Sequence, residues 1–347
     1  MQANILQPSR MGWIDAMRGF SMFVVVLGHV LLAMEIGGYR SFIGSIFLTF
    51  RMPLFFFVSG FFSYRNFDWW NKKRIGDILK RKLQAQVLCT LLFFSLFQLV
   101  RGGGISLCYG FGGYWFTIVL FQMYLCYLLL SILSKLLKLE IVIPALIILS
   151  VVCVGIIAFY RGDSWLWTFL CWENLTKYIQ FFTLGIICSK YRESFFKLLS
   201  NNRFITIVTV GWVVCMLLWY DNGFKLNCPL AYSVVHDIIV RYFALLTVVS
   251  AFFGYSARLS SDMKWCSCLR FIGQRTLDIY MIHYFFMPDL TFLPDFLKQS
   301  NIFVVQLFTS SFITSLILGI SLLVSMLLRR SRTLECWLFG VKPKTIG

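Results

Sequence analysis

Apolar residues in this chain fall in long, uninterrupted runs, and polar residues are pushed into short stretches between them. Spans of the length a lipid bilayer requires, about 20 mostly apolar residues, can be marked at roughly 12–35, 41–64, 83–101, 114–134, 141–160, 174–190, 204–220, 235–256, 271–289 and 302–328. The runs do not alternate with a period of two, so they are not the strands of a membrane barrel. Inside hydrocarbon a segment must satisfy its own backbone N–H and C=O groups, which leaves the helix. The pattern predicts an all-α bundle of about ten transmembrane helices, with residues 1–347 forming one membrane-embedded domain.

Composition sharpens that picture. At 59% hydrophobic residues and a mean hydropathy of +0.77, the chain has too little polar surface to coat a water-soluble globule of this size. A net charge of +17 would suggest nucleic acid as the partner of a soluble protein. In a membrane protein it is the placement of the charge that informs. With the N-terminus on the cytoplasmic side, most Lys and Arg fall in cytoplasmic segments. Arg40, Arg101, Arg161, Lys177, Lys225 and Lys298 are left outside. Both termini are therefore expected in the cytoplasm, the membrane lipid is a partner, and nucleic acid is not. The first apolar run carries Arg18 and His29 and lacks a small-residue cleavage site, so it reads as a retained span.

The 11 cysteines sit mostly inside apolar runs, where Cys behaves as a small hydrophobe. Cys266 and Cys268 form a lone CxC without further ligands at zinc spacing, so no metal site is expected. The connection 65–82 is the most basic segment, with Arg65, Lys72, Lys73, Arg74, Lys80, Arg81 and Lys82 against Asp68 and Asp77. It serves as an anchor to anionic headgroups, as a docking surface for an anionic cytoplasmic donor, or as both. A second basic stretch, 329–347, forms the tail. The glycine-rich stretch from Arg101 to Tyr114 lacks the lysine of a phosphate-binding loop. Trp165, Trp167 and Trp172 read as interfacial anchors ahead of the alternative, a face on which a sugar stacks.

Ionisable side chains within a span are costly and point to partners, water or function. Asp15 and Arg18 stand at i,i+3 spacing near the cytoplasmic end of the first span. Arg18 and His29 are separated by about three helical turns, so they face the same way roughly 16 Å apart. A neutral imidazole, with an ordinary pKa of about 6.5, can take a proton from a hydroxyl and return it. Gly28 leaves space beside His29. Arg51 lies inside the second span, where Pro53 removes a helix hydrogen bond. There it can hold a carbonyl oxyanion, a phosphate, or a carboxylate such as Glu35. Asp237 and Arg241 have salt-bridge spacing, as do Arg275 and Asp278. Tyr280 and His283 are candidate linings of an acceptor path.

The order of these motifs resembles the integral-membrane acyltransferase 3 family, in particular its branch of sugar O-acetylases similar to fucose 4-O-acetylase. The opening from Arg10 through Asp15 and Arg18 to Gly28 and His29 looks like the family's arginine, ten residues, histidine signature. Met52 to Phe61 resembles its second-span motif and Trp115 with Phe116 its WF pair. Phe182 to Ile186 and Phe271 to His283 resemble later hallmarks. Asp278 stands where the family more often has a small or apolar residue, and Arg51 where this branch commonly has histidine.

The resemblance implies a multi-pass protein of the bacterial inner membrane that moves an acetyl or other short acyl group. The donor would be acetyl-CoA or another acyl-CoA on the cytoplasmic side. The acceptor would be a hydroxyl of a carbohydrate or glycolipid, and no bound cofactor is implied. His29 then matches the catalytic histidine, with Arg18 in donor binding or orientation and Arg51 as an oxyanion partner. Lys72, Lys73 and Arg74 would meet the donor's phosphates, and Asp15, Glu35, Trp115, Tyr280 and His283 would line the acceptor cavity. Two other classes use buried charge: a transporter or flippase for a lipid-linked glycan, and a structural partner in an envelope assembly. Nothing in the pattern sets an oligomeric state.

Overall fold

A computed structural model of the chain describes residues 11–34, 42–100, 111–160, 162, 164–221, 230–287 and 303–340. Every regular element among them is helical. The first half comprises α1 (Gly12–Ala33), α2 (Phe42–Ser63), α3 (Lys72–Lys82), α4 (Cys89–Val100), α5 (Trp115–Leu137) and α6 (Val142–Phe159). The second comprises α7 (Trp165–Phe169), α8 (Trp172–Lys190), α9 (Arg192–Leu199), α10 (Asn202–Asp221), α11 (Leu230–Gly254), α12 (Ser256–Leu259), α13 (Lys264–Gln274) and α14 (Thr276–Ile282). The last two helices are α15 (Phe303–Leu328) and α16 (Arg332–Phe339).

Seven of the helices are long and apolar enough to cross a membrane, or eight if α9 and α10, bent by 73° at their junction, count as one span. Two of the ten expected spans depart from that pattern. Helix α8 carries Glu173 and Lys177 and is held by buried contacts of Phe181, Phe182 and Ile186. The run 271–289 is broken at Arg275, which ends α13 and starts α14, and a 3-10 turn follows at His283–Phe286. Outward faces of the spanning helices are apolar: Leu136 is 74% exposed, Val151 66% and Phe308 73%. That is the inverse of a soluble surface and suits lipid contact.

Two helix crossings fix the frame, and both rest on glycine. Where α1 meets α13, a Cβ added to Gly19 would lie 2.0 Å from the Leu269 carbonyl oxygen. One added to Gly273 would lie 1.8 Å from that of Asp15. Where α2 meets α8, Gly60 faces the Phe182 carbonyl at 2.0 Å and Gly185 faces that of Phe57 at 2.1 Å in the same sense. With no hydrophobic force between helices in lipid, close backbone approach at small residues supplies the packing energy. The two crossings bind α13 to α1 and α8 to α2.

Two basic segments read as connections are in part helix. Asn71 caps α3, its Oδ1 accepting from the Arg74 N–H at 2.8 Å. From there the chain continues through a π-helical turn, Leu83–Leu88, into α4, so the helix that contains the third span starts about ten residues before its apolar run. In the tail, Ser331 caps α16, which docks on that π turn. Gln84 Nε2 donates to the Cys336 carbonyl at 2.9 Å, Cys89 Sγ to that of Trp337 at 3.3 Å, and Phe339 is buried.

Candidate active site

His29 lies in the last turns of α1, and its surroundings come from two other elements, α2 and the 3-10 turn His283–Phe286. Its Nε2 is 3.0 Å from the Tyr284 hydroxyl, and its ring centroid is 5.5 Å from that of His283. Arg51 reaches it from α2. A Cβ built on Gly28 would fall 1.9 Å from Arg51 Nη1. The space that Gly28 leaves beside His29 is therefore filled by the guanidinium of Arg51, a residue only 7% exposed.

Tyrosine hydroxyls converge on one backbone carbonyl below this group. Tyr280 Oη donates to Gly113 O at 2.6 Å and accepts the Phe116 N–H at 3.1 Å. Tyr284 Oη lies 3.2 Å from the same carbonyl. Its single proton can therefore go to Gly113 or to His29, and the choice fixes the imidazole tautomer. With the proton on Gly113 O, Tyr284 accepts from His29 Nε2–H and Nδ1 carries the free lone pair. No other hydrogen bond to His29 is present among the described residues. His283 is fully buried and its Nδ1 is 3.0 Å from the Ile279 carbonyl, which only accepts, so that nitrogen carries the proton.

Beneath the His29 cluster lies a cavity of ≈ 310 Å³, walled by Arg18, Met22 and Val25 of α1 and closed by Phe116, Thr117 and Tyr280. Met22, Val25 and His29 follow one helical stripe, so the cavity ends about one turn from the imidazole. Arg18 reaches the first residue of α14: Nη2 donates to Thr276 Oγ1 at 2.9 Å, and Nη1 is 4.0 Å from Asp15 Oδ1. The pairing of Asp15 with Arg18 expected from spacing is thus present but loose.

A second cavity of ≈ 340 Å³ shares Phe62, Lys82, Ala85 and Tyr124 with the first. Its other walls include the basic residues Arg65 and Arg81 and the rings of Trp69 and Trp70, beside aliphatic Ile78, Leu79, Leu125 and Leu128. Lys82 stands at the boundary, its Nζ 3.6 Å from the Tyr124 ring centroid. The two cavities adjoin along these shared residues, one on the side of the basic stretch and the other on the side of His29.

The residues singled out from sequence divide accordingly. His29, Arg51 and His283 come together, and Arg18 and Tyr280 line the cavity beneath them. Lys73 and Arg74 are exposed on α3 and line neither cavity; Arg74 instead bonds the Trp69 carbonyl and covers its ring. The side chain of Lys72, the whole of Glu35 and the glycine-rich stretch 101–110 lie outside the described residues. Trp115 stacks on Tyr178 at 5.7 Å, in an aromatic wall away from both cavities, while its neighbour Phe116 faces the first. Arg241 bonds Asp237 at 2.8 Å, as the spacing predicts, and also reaches Leu48 O and Tyr178 Oη. Asp278 is paired less with Arg275, at 3.8 Å, than with Arg329, which donates to both of its oxygens at 2.7 and 2.9 Å. The sequence reading missed Tyr284, which adjoins His283 on the chain, and it missed Lys82, Tyr124 and Gln86 as cavity walls. Among the described residues no group of three or more His, Cys, Asp or Glu is placed to hold a metal.

A helical membrane bundle whose buried histidine, arginine and tyrosines sit at the head of an internal cavity is built as a membrane-embedded enzyme or carrier. Residues 11–330 match the acyltransferase domain of the acyltransferase 3 family, and the chain belongs to that family. It is a multi-pass membrane acyltransferase. No curated protein and no solved structure matches it.

Proposed function

We propose that the protein transfers a short acyl group, acetyl in the simplest case, from acyl-CoA to a carbohydrate hydroxyl, with His29 as the proton-transfer residue. The observation that carries this reading is the paired cavity, basic and aromatic at one end and ending about one turn from His29 at the other. Arg65, Arg81 and Lys82 offer cations to the donor's phosphates, and Trp69 and Trp70 offer rings to its adenine. The inner cavity, with apolar walls at Met22, Val25, Phe55 and Leu120 and polar groups between them, suits the pantetheine arm. The carbohydrate acceptor and the bacterial inner membrane rest on the motif likeness to sugar O-acetylases, and the cytoplasmic entry of the donor rests on the placement of basic residues.

In the reaction, His29 takes the proton of the acceptor hydroxyl as its oxygen attacks the thioester carbonyl. Arg51, packed on Gly28, stabilises the oxyanion. Collapse breaks the C–S bond, and the imidazolium returns its proton to the leaving thiolate, giving ester and free CoA. A covalent acyl-imidazole intermediate is the variant of this scheme in which His29 itself attacks.

The test is thiol release from acetyl-CoA by purified protein in lipid, with a panel of sugars and glycolipids, for wild type and His29→Ala. Acceptor-dependent release that disappears in the variant supports the reading. Release that persists in His29→Ala overturns the role of His29. Acceptor movement across the membrane without any CoA release overturns acyl transfer itself in favour of a carrier.

A further inference from the structure

Gln86 sits in the π-helical turn between α3 and α4 and is 6% exposed. It lines the inner cavity, and its Oε1 is buried without a hydrogen-bond partner. Among the described cavity-lining residues it is the one with a buried side-chain oxygen or nitrogen left in that state. Two nearby hydroxyls are committed elsewhere. Thr90 Oγ1 donates to the Gln86 backbone carbonyl at 2.6 Å and lies 2.7 Å from Thr117 Oγ1, which also reaches the Tyr114 carbonyl at 3.2 Å.

Leaving a carboxamide oxygen unpaired in a buried site costs on the order of 1–3 kcal/mol, so it calls for a partner. π turns are rare and recur at functional sites, where the widened helix presents groups a regular α-helix does not. The protein supplies that oxygen no partner among its described residues, and the side chain that carries it lines the cavity.

The walls around Gln86 identify the missing group. Met22, Val25, Phe55, Val58 and Leu120 give apolar surface, interrupted by polar side chains such as Arg18, Lys82, Thr117 and Tyr280. A slender methylene chain interrupted by a polar unit fits such walls. A secondary amide is that unit: it offers one N–H and one C=O in a plane, as a carboxamide does. Either orientation of Gln86 is then complementary, its oxygen to the amide N–H or its NH₂ to the amide carbonyl.

We infer that Gln86 is a donor-recognition residue that hydrogen-bonds an amide of the pantetheine arm in the inner cavity. This rests on the acyl-CoA reading above and adds to it a specificity determinant. Gln86 holds the arm at a fixed depth, so that the thioester is carried past Thr117 and Tyr280 toward His29 and a shorter or amide-free thioester is rejected.

The experiment compares kcat/KM for acetyl-CoA with that for two analogues in which one or the other pantetheine amide is replaced by –CH2–CH2–. It uses wild type, Gln86→Met and Gln86→Leu, all full-length in lipid. Wild type is expected to favour acetyl-CoA over one analogue by about tenfold, the worth of one buried hydrogen bond. Gln86→Met, which keeps the unbranched shape, is expected to bring that preference to within about twofold. A wild type that turns over both analogues as well as acetyl-CoA overturns the subsite without any variant being needed. A preference that survives in Gln86→Met and Gln86→Leu overturns it equally, because the amide is then read elsewhere. Absence of CoA release by wild type from acetyl-CoA with every acceptor brings down the donor reading and the subsite together, an outcome distinct from the other two.

Discussion

Replacing Gly28 with alanine separates chemistry from folding. The new Cβ would stand 1.9 Å from Arg51 Nη1 and 3.1 Å from its Cζ, whereas real Cβ contacts lie beyond 3.0 Å. The guanidinium must therefore retreat by more than 1 Å from its place beside His29. Because the obstacle is the tip of a flexible side chain, the helices need not move, and alanine adds about 1 kcal/mol of helix propensity over glycine. The thermal midpoint should change by only a few degrees. A catalytic group misplaced by about 1 Å loses roughly 100-fold in rate, so kcat for acceptor-dependent thiol release should fall by about that factor. The control is Gly19→Ala, whose Cβ would meet the Leu269 carbonyl oxygen at 2.0 Å. No rotamer relieves a backbone clash, and overpacking of this kind costs about 1–3 kcal/mol. Gly19→Ala should therefore lower the midpoint and the yield of folded protein while sparing turnover per folded molecule more than Gly28→Ala does. If Gly28→Ala retains wild-type kcat, the position of the Arg51 guanidinium is irrelevant to the reaction and its oxyanion role is refuted.

Tyr284→Phe removes the hydroxyl that sets the His29 tautomer, and it should lower kcat about tenfold while leaving the donor KM within about twofold; a change confined to KM would place Tyr284 in binding instead. Asp278→Asn strips a buried carboxylate from Arg329 and Arg275. Breaking such a pair costs about 3 kcal/mol, so the midpoint in detergent should drop clearly, and an unchanged midpoint would show that the cluster contributes nothing net. Lys82→Met, at the boundary of the two cavities, should raise the KM for acetyl-CoA about tenfold with a smaller effect on S-acetylpantetheine, which lacks the nucleotide; equal effects on both would place Lys82 on the arm.

The sequence by itself determined that this chain is a helical membrane protein, because uninterrupted apolar runs of bilayer length permit nothing else that satisfies the backbone. It also determined the pairings that lie within one helix, Asp237 with Arg241 and Asp15 with Arg18, since a fixed rise and turn place their partners three or four residues away. His29 and Arg51 stood out because charge and imidazole in apolar runs are costly. The motif glycines at positions 19, 60, 185 and 273 were visible as letters, but their work as two backbone crossings was not, because close approach is a property of two helices. Only the tertiary structure decided that Arg329, 51 residues along the chain, neutralises Asp278. It alone put Arg51 into the notch left by Gly28 and closed the tail helix onto the π turn. The break at Arg275 and the helical start of the third span also escaped the hydrophobic pattern, which records where side chains prefer lipid and says nothing of where the backbone bends. The inner cavity was the least legible feature: Lys82, Gln86, Tyr124 and Tyr280 come from different helical segments, and a cavity exists only where such segments fail to fill the space between them.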